Sequence, residues 1–425
     1  MVSHGNGTTP VIILDDPGDY ERAGIPHEQF AWLRANAPVY WHEPNFGDGW
    51  PGFWAVTRHA DVQYVSRHPE LFSSQRRLAV FYELPDEHIE RQRHMMLHMD
   101  PPRHSRLRAL VNRGFTARVI ERLATHVREV CDSLLDEVVA RGDADFVRDI
   151  AAPLPLYVTC ELIGAPLADR EYLFQLTCAM RGADDPVLTR SYTAQEATTM
   201  AYEYITDLAA QRKAEPRDDI LTMVLRADER GDALSADELN MFFLLLVVAG
   251  SETTRNAAAG GMRAFFEYPE QWRRLLADRA LTGTAAEEIV RWTSPVNMFR
   301  RTATQDTELA GRRIAEGDKV VVYYSSANRD EDVFTDPSTF DIGRDPNPHL
   351  GFGGGGPHFC LGRQLAALEL RVLLDTIADR MPDIRPAGEA HRLPSIFANG
   401  LTRLPVRFTP SDSVTGDGIP GHAPA

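Results

Sequence analysis

HLGFGGGGPHFCLG, His349 to Gly362, is the stretch whose reading decides the fold. Five of its first eight residues are glycine, and Cys360 stands near its end. Glycine loses more conformational freedom on folding than any other residue, so such density needs a structural reason. Gly351-x-Gly353-x-x-Gly356 formally matches a dinucleotide-binding turn. That turn needs a strand before it and a helix directly after it. DIGRDPNPHL makes no strand, and the next helix begins only after Cys360. A catalytic thiol is a second reading, since a helix start favours the thiolate and His358 lies two residues away as a base. A third is a metal-bound thiolate under a flat cofactor that a glycine-rich backbone can approach closely. A fourth is a buried cysteine in a flexible loop.

Working outward, MFFLLLVVA (Met241–Ala249) is the longest apolar run. It is too short to span a bilayer, which takes about 20 residues. Ser235-x-x-Glu238 before it is a capping box, so a buried helix is expected from about Ala236 towards Phe266. A carboxylate at Glu252, just past that run, is costly to bury without a task. Gly250 lowers local helix propensity and predicts a widened turn there. Asp100 and Pro101 are expected to start a helix through HSRLRALV, and apolar spacing predicts another over 117–141. Further helices are expected over 196–213, around Pro269–Asp278, and from about Leu361 to Arg380. Thr284-x-x-Glu287 reads as a second capping box before EEIVRW. Residues 301–324 read as short strands with turns at Gly311 and Gly317, and 328–347 as a polar loop. The fold class is mainly α with a minor β component. No linker divides the 425 residues, so one large domain over 11–410 is expected, with loose tails at 1–10 and 411–425.

The net charge is −16, which argues against nucleic acid or an anionic membrane as main partner. The four cysteines show no Cys-x-x-Cys spacing, and the N-terminus lacks a basic, apolar leader pattern. A cytoplasmic protein without a membrane anchor is expected.

Taken together, these motifs resemble the cytochrome P450 family in its own order, over roughly residues 20–408. Cysteine thiolate is the haem ligand that promotes O–O cleavage. The resemblance implies a P450-like single domain with a long central helix, haem b (iron protoporphyrin IX), and Cys360 as iron ligand. It assigns Ala249-Gly250-Ser251-Glu252-Thr253-Thr254 to oxygen activation: Ala249 and Gly250 beside the cofactor, Thr253 to dioxygen, and Glu252 to proton delivery. His104, Arg108, Arg301 and His358 are implied as propionate contacts, with Arg301 preferred to Arg300. Glu288, Arg291 and Arg344 form an implied structural triad bracing the cysteine loop. In this family an aromatic residue usually stands seven positions before the cysteine. Here that position is Gly353, and Phe352 is one further back, so the loop register is altered while both residues remain expected beside the haem.

The resemblance further implies hydroxylation of a C–H bond with O2. Electrons are expected from NAD(P)H through an external ferredoxin and ferredoxin reductase, docking on a basic face that includes Arg103, Arg106, Arg113 and Arg363. AGSETTRN and SANRDEDVF look most like actinobacterial members acting on steroid side chains, methyl-branched lipids or terpenoids. Leu97, Val247, Val296, Met298, Phe299 and Phe397 are expected to face a bulky apolar substrate, and Arg181, Asp184 and Asp185 a polar group. A monomer is expected. Epoxidation, coupling or rearrangement, and a non-enzymatic haem- or lipid-binding role, remain open at this point.

Overall fold

The central helix is built from its caps inward. Ser235 Oγ accepts the Glu238 N–H and Glu238 accepts the Ser235 N–H, both at 3.1 Å. From there Ala236–Glu267 runs 32 residues, about 48 Å at the usual helical rise. The computed structural model describes residues 10–44, 52–180, 192–226 and 234–410. Of the tails expected at 1–10 and 411–425, residues 1–9 and 411–425 lie outside the described residues, as do Arg181, Asp184 and Asp185.

Helices Pro153–Ile163, Thr282–Thr293 and Arg363–Arg380 pack around the central helix, and Ala117–Val139 packs on Arg363–Arg380. Their buried leucines, valines and phenylalanines form the largest core, which Phe242, Phe243 and Phe265 of the central helix enter fully buried. The widened turn expected at Gly250 is absent, because the helix is α-helical throughout. Gly250 answers a packing demand instead. A Cβ there would stand 2.7 Å from Thr159 Oγ1 on the neighbouring helix.

A five-stranded sheet lies apart from this bundle. Its spatial order is Val39–His42, Phe53–Val56, Lys319–Tyr323, Met298–Ala303, Phe72–Ser73. Only Phe53–Val56 with Lys319–Tyr323 is parallel. The central strand KVVVY is buried along its whole length, as a strand covered on both faces should be. Arg300 and Arg301 on the next strand point to opposite faces. One pairs with Glu83 and the other enters the functional cavity.

Two expected helix starts differ. Helix Arg103–Val111 has Pro102 at its cap and no side-chain cap. Asp100 instead binds Ser73 and accepts the Ser74 N–H at 2.8 Å, tying this helix to the sheet edge. Helix Thr282–Thr293 begins before Thr284, which donates back to the Leu281 carbonyl at 3.0 Å. Glu287 is thereby released to pair with His349 in the cysteine loop, at 2.8 Å.

Candidate functional site

The glycine loop is shaped mainly by what lies behind it. A Cβ on Gly356 would meet the Ser66 carbonyl oxygen at 2.2 Å, and one on Gly354 would meet Ser66 Oγ at 2.5 Å. Both atoms belong to helix His59–Arg67. Gly353, Gly355 and Gly356 hold φ of 103°, 87° and 72°, the left-handed region that glycine enters freely. The glycines therefore serve close packing and backbone conformation more than space under a cofactor.

The altered register has a definite outcome. Cys360 N–H donates to the Phe352 carbonyl at 2.9 Å, closing the loop on itself. Phe352 and Gly353 both line the cavity beside Cys360. Burial raises the Cys360 thiol, while the Gly362 and Arg363 N–H groups at the helix start and the Arg108 guanidinium pull it down. Those two N–H groups are unsatisfied helix-terminal donors aimed at one sulfur.

Glu288, Arg291 and Arg344 come together behind the loop. Arg291 gives Glu288 two bonds of 2.7 Å, and Arg344 stands 3.2 Å from the same carboxylate. Glu288 and Arg291 are fully buried. The Asp341 N–H and Asn347 side chain also donate to Glu288, at 2.9 and 3.2 Å. Sequence reasoning missed Asn328, which accepts the Leu350 N–H at 2.6 Å and donates to Ser294 Oγ at 2.9 Å.

In front of Cys360 lies a cavity of about 250 Å³. Leu245, Leu246, Ala249, Gly250, Thr253 and Thr254 form its central-helix wall. Thr253 Oγ1 donates to the Ala249 carbonyl at 2.8 Å, so its oxygen can still accept a proton-bearing partner from the cavity. Glu252, half-buried, is not in the wall. One hundred degrees of helical turn separate it from Thr253.

The rim carries two arginines and two histidines. His104, Arg108, Arg301 and His358 all line the cavity. The two imidazoles lie 4.4 Å apart between centroids. Burial, then Arg108, pushes His104 down to about 4. Burial, then Arg301, holds His358 well below the ordinary histidine value. His104 Nδ1 and His358 Nε2 are buried with no hydrogen-bond partner. Arg301 is fully enclosed and donates to the Arg300 carbonyl at 2.7 Å, with no carboxylate pairing it among the described residues. Unpaired cations and orphaned donors are costly unless an anion joins them. A flat dianion carrying two carboxylates would supply the partners these four groups lack, and haem has that form.

The expected substrate residues divide. Leu97, Val296 and Phe299 line the cavity. Val247 does not, because it turns into the main core. Met298 is fully buried beneath the sheet with Phe81 and Ile396. Phe397 stands behind Phe299, ring to ring at 5.4 Å. Sequence reasoning missed Leu245 and Leu246. Counting back one turn from Ala249 and Gly250 finds both.

A sulfur held by helix-terminal donors, across an apolar void from a threonine and under a rim that lacks only its carboxylates, defines a haem-thiolate enzyme. A family model for cytochrome P450 matches residues 184–380. A steroid C26-monooxygenase of Rhodococcus jostii is 43% identical over 92% of this chain and 84% of its own length. A methyl-branched lipid omega-hydroxylase of Mycobacterium tuberculosis is 44% identical over 89% of this chain and 90% of its own. A Mycobacterium marinum cytochrome P450 solved with pseudoionone has a TM-score of 0.84 at 39% identity, covering 91% of this chain and 95% of that one. The chain belongs to the cytochrome P450 family. It is a monooxygenase that hydroxylates an apolar substrate. No helix among the described residues is long and apolar enough to cross a membrane.

Proposed function

We propose that this enzyme hydroxylates the branched alkyl end of an elongated apolar molecule, a steroid side chain or a methyl-branched lipid. Both substrate types are named for relatives more than 40% identical to it. The observation that carries the reading is the single cavity that joins Cys360, Thr253 and an apolar wall of Leu97, Leu245, Leu246, Val296 and Phe299. Such a wall selects alkyl surface and offers few polar partners to orient anything else.

Cys360 is the iron ligand, its negative charge stabilised by the Gly362 and Arg363 N–H groups. His104, Arg108, Arg301 and His358 hold the two propionates. Bound haem b supplies the dioxygen chemistry, which needs two electrons and two protons for each oxygen atom inserted. Thr253 accepts and relays a hydrogen bond at its Oγ1, and Glu252 feeds protons to it from outside the cavity wall. The apolar lining excludes bulk water, so protons move only through placed groups. Electrons come from NAD(P)H through a ferredoxin reductase and a ferredoxin. Arg103, Arg106 and Arg363 are the described members of the basic face expected to receive the ferredoxin; the Arg113 side chain lies outside the described residues. Arg103 is partly engaged already, reaching Glu238 at 3.0 Å.

The test is a Soret-shift titration with sterols, methyl-branched fatty acids, pseudoionone and macrolides, followed by turnover under labelled dioxygen. A branched-alkyl ligand should bind tightest and take one labelled atom at or beside its terminal methyl. Tightest binding by a macrolide, or label in a ring, would overturn the substrate assignment. The carbon-monoxide spectrum of Cys360→Ala checks ligation separately, and a surviving thiolate band would refute it.

A further inference from the structure

Two further residues line the cavity, Glu369 and Tyr324. Glu369 is a buried carboxyl that burial raises to about 8. Tyr324 matters for the ring it touches. Phe299, in the cavity wall, meets two other rings edge-to-face: Phe397 at 5.4 Å and 67°, and Tyr324 at 6.2 Å and 78°. Aromatic pairs favour this arrangement.

Both neighbours are anchored to one residue. Asn297 is fully buried. Its N–H donates to the Phe397 carbonyl, and its own carbonyl accepts the Tyr324 N–H, each at 2.8 Å. Its side-chain amide donates to the Ile396 carbonyl at 2.7 Å and accepts the Ser325 hydroxyl. Every polar group of Asn297 thus has a partner, and a buried polar network satisfied in this way specifies one geometry. The turn that carries Phe397 is fixed at other points too. Ser395 Oγ accepts the Phe397 and Ala398 N–H groups at 3.2 and 3.0 Å. The Asn399 N–H donates to the Pro295 carbonyl at 3.0 Å. Ala398 bridges to Val296, another residue of the cavity wall.

We propose that Asn297 and Phe397 are positioning residues that hold the Phe299 ring rigid in the cavity wall, and that this ring decides which carbon of the alkyl end is hydroxylated. The proposal rests on the branched-alkyl substrate proposed above. In such a substrate the tertiary C–H at the branch is weaker than the C–H of the terminal methyl beside it. Attack at the methyl therefore needs a wall that keeps the branch carbon away, and a ring free to tilt would not do so. Phe397 is not among the lining residues, so it acts through Phe299.

Iso-palmitic acid, whose chain ends in such a branch, is the probe, and the ratio of terminal to branch alcohol is the readout. The parent enzyme should favour the terminal alcohol. One methylene in an apolar pocket is worth roughly 10–200-fold in discrimination, so Phe397→Ala should lower the ratio about tenfold while keeping the thiolate spectrum. Phe397→Leu should lower it less. Asn297→Ala keeps the main-chain bonds but strands the Ile396 carbonyl, and should move the ratio the same way. A merely structural role would lower the urea midpoint and leave the ratio alone. An unchanged ratio in Phe397→Ala would overturn the proposal, as would a parent enzyme that already favours the branch carbon. A second arm needs no substrate. Clotrimazole, a bulky azole, should gain affinity in Phe397→Ala relative to the small phenylimidazole, read by the Soret shift; an equal response to both would refute the rigid wall. If the parent hydroxylates no branched ligand, the substrate reading fails, while the azole arm still decides whether Phe397 holds Phe299 in place.

Discussion

Replacing Arg291 with alanine should loosen the cysteine loop more than any single change outside the cavity. The side chain is fully buried. Besides its two bonds to Glu288, it donates to the carbonyls of Asn328, Pro337 and Thr339 at 2.8, 2.9 and 3.0 Å. Removing one partner of a buried ion pair costs about 3–5 kcal/mol, because the remaining charge stays buried. Arg344 still offers Glu288 a partner at 3.2 Å, which limits that loss. Thr339 keeps a donor in Arg344 at 3.1 Å, but the orphaned carbonyls of Asn328 and Pro337 add to the loss, at about 1–3 kcal/mol for each that water cannot reach. A net loss of ~4 kcal/mol follows, against a total stability of about 5–15 kcal/mol for a typical domain. Urea unfolding of the haem-loaded enzyme measures it, with the carbon-monoxide spectrum recorded along the titration. The thiolate band should disappear at lower urea than the helical signal, since Asp341, Arg344 and Asn347 all lie on the approach to the cysteine loop. Arg291→Lys should lose less, keeping the charge while giving up the two-pronged geometry. A midpoint shift worth under ~0.5 kcal/mol in Arg291→Ala, the range of ordinary surface changes, would refute the brace.

Further outcomes follow from particular contacts. Gly356→Ala forces a Cβ to 2.2 Å from the Ser66 carbonyl at φ 72°, so haem retention should fall sharply; Gly283→Ala, with nothing within 4 Å, should gain about 0.5–1 kcal/mol by helix propensity. Met298→Ala should cost about 2–5 kcal/mol of stability with little change in substrate Kd, whereas Leu245→Ala should change Kd with little loss of stability; the reverse pattern in a paired Soret and urea measurement would return Met298 to the pocket. Thr253→Ala should keep the haem and divert electrons to peroxide, and fully coupled turnover would remove Thr253 from the proton path. Glu287 is held below the ordinary 4.5 by its bond to His349, so its contribution is complete above about that pH and lost as pH falls through the lower folded value; haem release on acidification should be shallower in Glu287→Gln.

The legible parts of the molecule were those with local signals. The central helix carried its capping box and its apolar run within a few residues of each other, and its observed start agrees with that reading. The sheet turns at Gly311 and Gly317 were equally local, and both glycines take positive φ. What misled were signals with two possible partners. Asp100 has the chemistry of a cap, but Ser73 and Ser74 lie within reach and take its carboxylate. Thr284 and Glu287 have capping-box spacing, but His349, sixty-two residues later, claims the glutamate. The glycine loop is the same case at longer range. Its reason is the backbone of Ser66, which nothing near residue 350 discloses.

Glu369 was illegible for a different cause. In LGRQLAALELR it reads as an ordinary helical surface glutamate, and periodicity can assign a residue only to a face. Helix Arg363–Arg380 buries Leu365, Leu368, Leu370, Leu373, Leu374 and Ile377 around much of its circumference, so it offers few exposed positions for a charge. The helices that enclose it come from distant parts of the chain, and the burial that raises its carboxyl exists only after they assemble. Glu252 shows the converse. Its place beside Thr253 made it conspicuous in sequence, yet one residue of helical rotation takes it out of the cavity. A carboxyl's position in the chain and its position relative to the reacting atoms are thus set by different things, the first by local spacing and the second by how the central helix is rotated against Pro153–Ile163. Gly250 permits the close approach of those two helices, since a Cβ there would stand 2.7 Å from Thr159 Oγ1, so the glycine that was expected to open the helix serves its packing instead.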